Sequence, residues 1–317
     1  ENEPGYIDCP SEEDIEITNF IARKYNCRFD VVDLKEEYWN RVITYTLDTV
    51  KAGFTPNPDI MCNKLIKFGS FEDKYGKDFD HIATGHYARV FNKDGLFHLG
   101  TAKDRKKDQT YFLGQLSSDQ VSKMMTPAGE YLKQEIRDLA HKENLPSASR
   151  KDSQGICFLG KINYNDFIRK YAGEKEGDVI ELETGKMLGK HKEIWFHTIG
   201  QRRGLGFGQG PWFVVRKDID ANIIYVSNGY DPDTQYDDKI NLKDFHFIHD
   251  AYHPGNGVDF RIKYKIRHQP EFTGGQLNIS GDKAVILSDE RISGIAPGQF
   301  AVVYDWHETY CLGSGLI

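Results

Sequence analysis

An α/β first half followed by a β-rich second half is what the sequence predicts, and three observations predict it. Apolar residues recur at helical spacing up to about residue 75. Short extended runs lie between those helices. After about Gly160 the pattern turns to evenly spaced β-like runs separated by Gly, Asp, Asn and Pro.

In order along the chain, Ser11 followed by Glu12, Glu13 and Asp14 reads as a helix start with acid in its first turn. Ile17, Phe20, Ile21 and Tyr25 continue it, and Phe29–Asp33 reads as a short strand. Trp39, Val42, Ile43, Thr46, Leu47 and Val50 form a second helical stripe. A Gly- and Pro-containing loop spans Gly53 to Cys62, a helix is expected from about Asn63 to Tyr75, and a strand at His81–Thr84. Strand, helices and strand imply a parallel crossover. Asp94-Gly95 signals a hairpin, and helices are expected near Ser118–Met125 and Glu130–Asn144. Beyond the boundary near 160, runs at Val179, Trp212, Ile223, Phe260, Ala284 and Phe300 suggest one or two small barrels, with a softer boundary near 235.

With 39% hydrophobic residues the chain can build cores, and no apolar run is long enough to span a bilayer. The net charge of −7 argues against indiscriminate nucleic-acid binding while leaving room for gathered basic patches. The cysteines Cys9, Cys27, Cys62, Cys157 and Cys311 form no C-x-x-C pair, so neither a zinc site nor a disulfide framework is expected.

Asn57-Pro58-Asp59-Ile60-Met61-Cys62-Asn63 is the most informative segment. Two prolines restrict it, and its cysteine is expected just before a helix, where backbone N–H groups favour thiolate. Asp59 could act as a base or orient a substrate amide; a buried cysteine in an ordinary turn is the competing reading. Lys151-Asp-Ser-Gln-Gly-Ile-Cys157-Phe158 is a second candidate, with Arg150 and Lys151 near the thiol and the same bland alternative. Thr84-Gly85-His86-Tyr87 follows a strand, where a glycine lets a nucleotide approach the backbone. A strand-ending glycine beside a surface histidine reads equally well.

Basic residues gather at Lys103, Arg105, Lys106 and Lys107, and again at Arg261, Lys263, Lys265 and Arg267. The second set alternates with Ile262, Tyr264 and Ile266, so four cations would share one strand face about 7 Å apart, suited to an RNA backbone. His246, His249 and His253 lie in strand and loop surroundings and are read as surface or packed histidines. Gly204 to Gly210 lacks the dinucleotide-loop spacing and reads as a flexible hairpin.

Taken together these segments resemble the tRNA-specific 2-thiouridylase family. The residues that carry the resemblance are Thr55–Asn63, Ala83–Arg89, Lys107–Leu113, Lys151–Phe158, His197–Arg202, Arg267–Gln269, Pro297–Gln299 and Cys311–Gly315. It implies an ATP-pyrophosphatase-like α/β domain with a parallel sheet over 1–160, a small central β-rich domain over 161–235 and a C-terminal β-barrel over 236–317 that contacts tRNA.

In chemistry the resemblance implies ATP, with Mg as counter-ion, activating the 2-oxygen of the wobble uridine by adenylation. Cys157 would carry a persulfide received from a sulfur-donor protein. Its sulfur attacks the ring carbon, directly or after release as hydrosulfide. Cys62 would free that sulfur and leave a Cys62–Cys157 disulfide, with Asp59 as base or activator. Asn57 and Pro58 would shape the pocket for an unstacked base. Gly85 would contact ATP, and His86, Lys107, Asp108, Gln109, Arg267, His268 and Gln299 would contact tRNA. No resident metal, no membrane and no DNA are implied.

The family's Ser-Gly-Gly-x-Asp-Ser type of phosphate loop does not occur in the sequence, which opens at Glu1 and not at methionine. The expectation is an upstream segment, and poor ATP binding by the chain as written. Two other classes compete: a tRNA-binding protein without catalysis, and a thiol–disulfide oxidoreductase using Cys62 and Cys157. Segments at Arg267–Gln269 and Gly298–Tyr304 look more like mitochondrial members, which points to the mitochondrial matrix, with a bacterial cytoplasm as the alternative.

Overall fold

The computed structural model describes residues 11–150, 164–202, 204–208, 210–229, 236–255, 257–281 and 283–317. The chain divides into two compact units. One comprises Glu1–Ile43 and Pro58–Phe167, the other Thr44–Asn57 and Ile168–Ile317.

The first unit is α/β. Helix Ser11–Lys24 starts with three acidic residues in its first turn. Residues 27–34 then run on without forming a strand, contrary to the expectation for Phe29–Asp33. Val31 is 64% exposed and Arg28 pairs with Asp30, so no apolar face is available to hold a ladder. The stripe beginning at Trp39 does face inward, with Val42 and Ile43 buried. Trp39 meets Phe167 edge-on at 6.5 Å.

Helix starts at Pro58, not near Asn63, and continues through Cys62 into a wide π-helical stretch, Asn63–Ser70, and on to Phe71–Lys74. Proline presets the helical backbone angle and lacks only an N–H that the first turn leaves unpaired anyway. The wide turns are secured from the side: Gln120 Nε2 donates to the carbonyls of Lys64 and Phe68, and the Ser70 hydroxyl to that of Leu65.

Strands β1 (Ile82–Ala83) and β4 (Met124–Met125) pair in parallel, so the parallel partner of the strand expected at His81–Thr84 is Met124–Met125 and not Phe29–Asp33. Between them β2 (Ala88–Lys93) and β3 (Leu96–Thr101) form the hairpin at Asp94-Gly95, where both residues have positive φ. Helix Ser118–Lys123 is capped by Ser117 and Gln120, and it ends where Met124 turns extended and joins β4. Helix Lys133–Lys142 follows.

The second unit holds helix Thr44–Lys51 and two β-structures. Four strands, β5 (Gly177–Glu181), β6 (Met187–His191), β7 (Trp212–Asp218) and β8 (Ile223–Asn228), form a sheet in the order β6-β5-β8-β7. Val179, Ile194, Trp212, Val214, Ile224 and Val226 make its core. Residues 204–208 form an irregular loop and not the expected hairpin, with Gly204 and Gly206 at positive φ.

Six strands close into a barrel: β9 (Tyr236–Phe247), β10 (Phe260–Lys265), β11 (Thr273–Ser280), β12 (Lys283–Ser293), β13 (Phe300–Tyr304) and β14 (Cys311–Leu316). Ile240, Ile262, Tyr264, Leu277, Ile286 and Val303 are among the residues filling it. His246 lies in β9 opposite Ser314, His249 meets the Tyr252 ring and His253 that of Phe247, all in strand or loop.

Candidate functional site

In the first unit, Asp59 and Cys62 stand one helical turn apart, at i and i+3 on one face. Asp59 is half-buried with its Oδ1 shielded from solvent, while Cys62 is buried and holds a thiol. Because the helix begins at Pro58, the acid in its first turn is Asp59. The expectation that Cys62 sits at a helix N-terminus is thereby corrected, and the favourable end of the helix dipole acts on Asp59. Asn63, next in line, is buried and donates through Nδ2 to the Phe112 carbonyl at 3.0 Å.

The turn Thr110–Leu113 packs against helix Pro58–Cys62 and brings the Lys107–Gln109 segment close. Asp108 is buried: Oδ2 accepts from the Ala102 N–H at 2.7 Å, and Oδ1 from the Thr110 hydroxyl at 2.5 Å. Gln109 and Tyr87 are tied reciprocally, Tyr87 N–H to Gln109 Oε1 at 2.9 Å and Gln109 N–H to the Tyr87 carbonyl at 2.8 Å. Lys107 is exposed on the same loop. Within the unit the Thr110–Leu113 turn links the Lys107–Gln109 loop to the helix that carries Cys62, and the Gln109–Tyr87 bonds link it to the segment that carries His86.

His86 follows β1, its Nδ1 2.8 Å from the Thr84 hydroxyl and its ring 6.4 Å from that of Phe68. Burial, with a smaller contribution from the Lys67 cation, lowers its pKa to about 3, so the imidazole is neutral at physiological pH. Gly85, exposed beside it, has open space where a side chain would stand. Packing does not require a glycine here, which removes one bland explanation for it.

Within the second unit the loop Gly53–Asn57 is held from three directions. The Thr55 N–H donates to the Pro297 carbonyl at 2.8 Å, and the Asn57 N–H to the Tyr45 hydroxyl at 3.3 Å. The Thr55 and Thr198 hydroxyls lie 3.4 Å apart. Gln299 contributes most: its Nε2 donates to the Thr55 and Pro56 carbonyls at 3.0 and 2.9 Å, and its Oε1 accepts from Asn57 Nδ2 at 3.2 Å. Thr198 and Tyr45 escaped sequence reasoning. His197–Arg202 stood out only as a motif, and nothing in the pattern marks Tyr45.

The row of cations on β10 is largely occupied within the protein. Arg261 makes two bonds to Asp289, at 2.7 and 2.9 Å, and stacks 4.3 Å from the Trp306 ring centroid. Lys263 also faces Trp306. Lys265 is buried beneath Phe272, so the expected four-cation face is corrected to one with a covered lysine. Arg267 and His268 are exposed, with Arg267 donating to the Ser293 carbonyl. Cys157 and the rest of Lys151–Phe158 lie outside the described residues.

Three family models match in succession: a tRNA methyl transferase HUP domain over residues 1–161, a tRNA methyl transferase PRC-barrel domain over 165–228, and an aminomethyltransferase beta-barrel domain over 237–317. A Parabacteroides distasonis protein named tRNA-specific 2-thiouridylase MnmA is 61% identical over 318 residues, covering 100% of this chain and 88% of its own. The chain belongs to the tRNA-specific 2-thiouridylase family.

A protein of the same name from Porphyromonas gingivalis and one named tRNA-specific 2-thiouridylase MnmA 1 from Bacteroides thetaiotaomicron are 60% and 57% identical. The first covers 100% of this chain and 89% of its own, the second 98% and 88%. The α/β unit carrying Cys62 falls in the HUP match and the closed barrel in the beta-barrel match. These relatives are bacterial, so the mitochondrial expectation gains no support from them. Among the described residues no helix is long and apolar enough to cross a membrane.

Proposed function

We propose that this chain is a tRNA uridine 2-sulfurtransferase that uses ATP and a cysteine persulfide. The observation that carries the reading is the Pro58–Cys62 turn, which sets a half-buried carboxylate and a thiol on one helix face. Membership of a family whose relatives are named 2-thiouridylases supports tRNA as the substrate.

ATP, with magnesium on its phosphates, supplies activation: the uracil 2-oxygen becomes part of a leaving AMP. The open space at Gly85, just past the end of a parallel strand, suits close approach of a nucleotide. Cys157 carries the sulfane sulfur, delivered by a persulfide-donor protein. That sulfur forms a bond to C2 as the C2–O bond to AMP breaks. The Cys62 thiolate then attacks the Cys157 sulfur, and the S–S bond to the new thiouridine breaks with its electron pair moving to that sulfur. The product leaves, and the Cys62–Cys157 disulfide requires a dithiol reductant before the next turnover.

Asp59 takes the proton that Cys62 or the uridine releases. Asn57 and Pro58 shape the base pocket, neutral His86, Lys107, Arg267 and His268 serve the RNA, and Gln299 acts through the Thr55–Asn57 loop to which its amide is bonded. Asp108 and Gln109 serve it by holding the loop that presents Lys107. The chain acts as three domains with edges near 160 and 235, in a bacterial cytoplasm.

The test is mass spectrometry of nucleosides from tRNA incubated with full-length protein, ATP and a persulfide donor. 2-Thiouridine is expected with the native protein and absent with Cys62→Ser or Cys157→Ser. Unchanged uridine with the native protein would favour an RNA-binding protein without catalysis. Disulfide cycling without ATP or RNA would favour an oxidoreductase.

A further inference from the structure

The Gln299 side chain is committed to another part of its own unit before any RNA arrives. Both its N–H bonds point at consecutive carbonyls, those of Thr55 and Pro56, and its oxygen receives the Asn57 amide. A primary amide has two donors and one acceptor oxygen, so one side chain fixes the backbone of two residues and the rotamer of a third. The Pro56 carbonyl thereby gains a donor from a residue 243 positions away in the sequence.

The backbone beside Gln299 is built for this contact. Gly298 has φ +92°, and a side chain there would stand 2.8 Å from Phe54 Cβ and 2.8 Å from the Thr55 carbonyl oxygen. Only a glycine allows two backbone segments to approach so closely. The turn itself is anchored by the last residue of the chain: Gly298 N–H donates to the Ile317 carbonyl, and Ile317 N–H to that of Gln299. On the opposite side Gly53, at φ +80°, packs against Ile219 of the β7–β8 turn. The barrel and the four-stranded sheet thus both grip the loop that ends in Asn57.

We propose that Gln299 is a positioning residue for Asn57, acting through the clamped Thr55–Asn57 backbone and not by holding RNA. This rests on the reading of Asn57 as a residue that meets the target uridine. Its consequence is a division of effects. Loss of the clamp lets the Asn57 amide wander, which lowers the rate of the chemical step while leaving RNA affinity, set by many phosphate contacts, nearly constant.

The experiment uses full-length protein with Gln299→Leu, Gln299→Glu and Gly298→Ala. Hydrogen exchange at the Thr55 and Asn57 amides is measured without RNA, tRNA Kd by filter binding, and single-turnover thiolation at saturating tRNA. For Gln299→Leu the two amides should exchange at least about tenfold faster. Kd should change less than about twofold, and the rate should fall roughly 10- to 100-fold. Gln299→Glu keeps the acceptor but sets a carboxylate against two carbonyls, so its loss should be at least as large. Gly298→Ala, which removes no side chain, should reproduce the pattern if it folds. Unchanged exchange in both Gln299 variants, or a weakened Kd with an unchanged rate, overturns the proposal. If native protein makes no thiouridine, the sulfurtransferase reading fails by itself, and the exchange measurement still decides whether the clamp exists.

Discussion

The Lys265 ammonium lies 3.8 Å from the centroid of the Phe272 ring, on the strand face where the sequence suggests a row of cations for RNA. A buried cation has no counterions to release, so it cannot add to the salt dependence of RNA binding. Lys265→Met should leave the slope of log K against log salt unchanged, whereas Arg267→Ala should reduce it by about 1. Binding titrations at several salt concentrations check this. An equal fall in slope for both variants would show that Lys265 reaches RNA.

Asp108 predicts the opposite kind of effect to a surface RNA contact. Its carboxylate accepts the Ala102 N–H, the Thr110 N–H and the Thr110 hydroxyl, all away from water. Asp108→Ala strands those donors, and each unsatisfied buried group costs about 1–3 kcal/mol, so a total loss of at least about 3 kcal/mol is expected. Lys107→Ala on the exposed side of the same loop should cost under about 0.5 kcal/mol. Urea denaturation of the two variants separates them, and equal stability would contradict the geometry.

Much of the architecture was legible in the sequence because period and punctuation are local. The Val42–Val50 stripe and the alternation of Ile262, Tyr264 and Ile266 each point to the face that is buried, and Asp94-Gly95 marks the turn of the β2–β3 hairpin. Phe29–Asp33 was misread because an apolar pair gives propensity without a partner strand. Lys265 was misread because alternation fixes which way a side chain leaves a strand, not whether Phe272 from a following loop covers it. Asp59 and Cys62 could be picked out from their spacing. The clamp on Thr55–Asn57 could not, since Gln299 lies 242 positions from Asn57 and only the barrel turn brings the two together.

His86 gives a pH signature with a definite sign. Its pKa in the folded chain is lowered by burial, and secondarily by Lys67, to about 3 against an ordinary value of 6.5. Between those values the unfolded chain binds a proton that the folded one refuses. The stabilisation is therefore fully present above pH 6.5 and is lost progressively as the pH falls towards 3. His197 is depressed to about 4 by burial and behaves alike, so the measurement must be a difference. The urea midpoint of native protein should fall more steeply between pH 7 and 5 than that of His86→Gln. The extra slope is at most about 1.4 kcal/mol per pH unit. Parallel curves would mean that His86 is protonated without penalty.

The thiols differ in access, and that difference bears on the sulfur chemistry. Cys27 is exposed, while Cys62 and Cys311 are buried. Iodoacetamide attacks a thiolate that it can reach, so a buried thiol reacts only when the surrounding structure opens. Brief treatment of native protein, followed by peptide mass spectrometry, should find Cys27 alkylated well before Cys62 or Cys311. Urea should bring the three to similar rates. Cys311 serves as the internal control, because it lies in β14 of the closed barrel, far in sequence from the proposed chemistry. If Cys62 reacts as fast as Cys27 without denaturant, helix Pro58–Cys62 does not hold its thiol inside. A disulfide with Cys157 would then form without the opening step that burial of Cys62 demands.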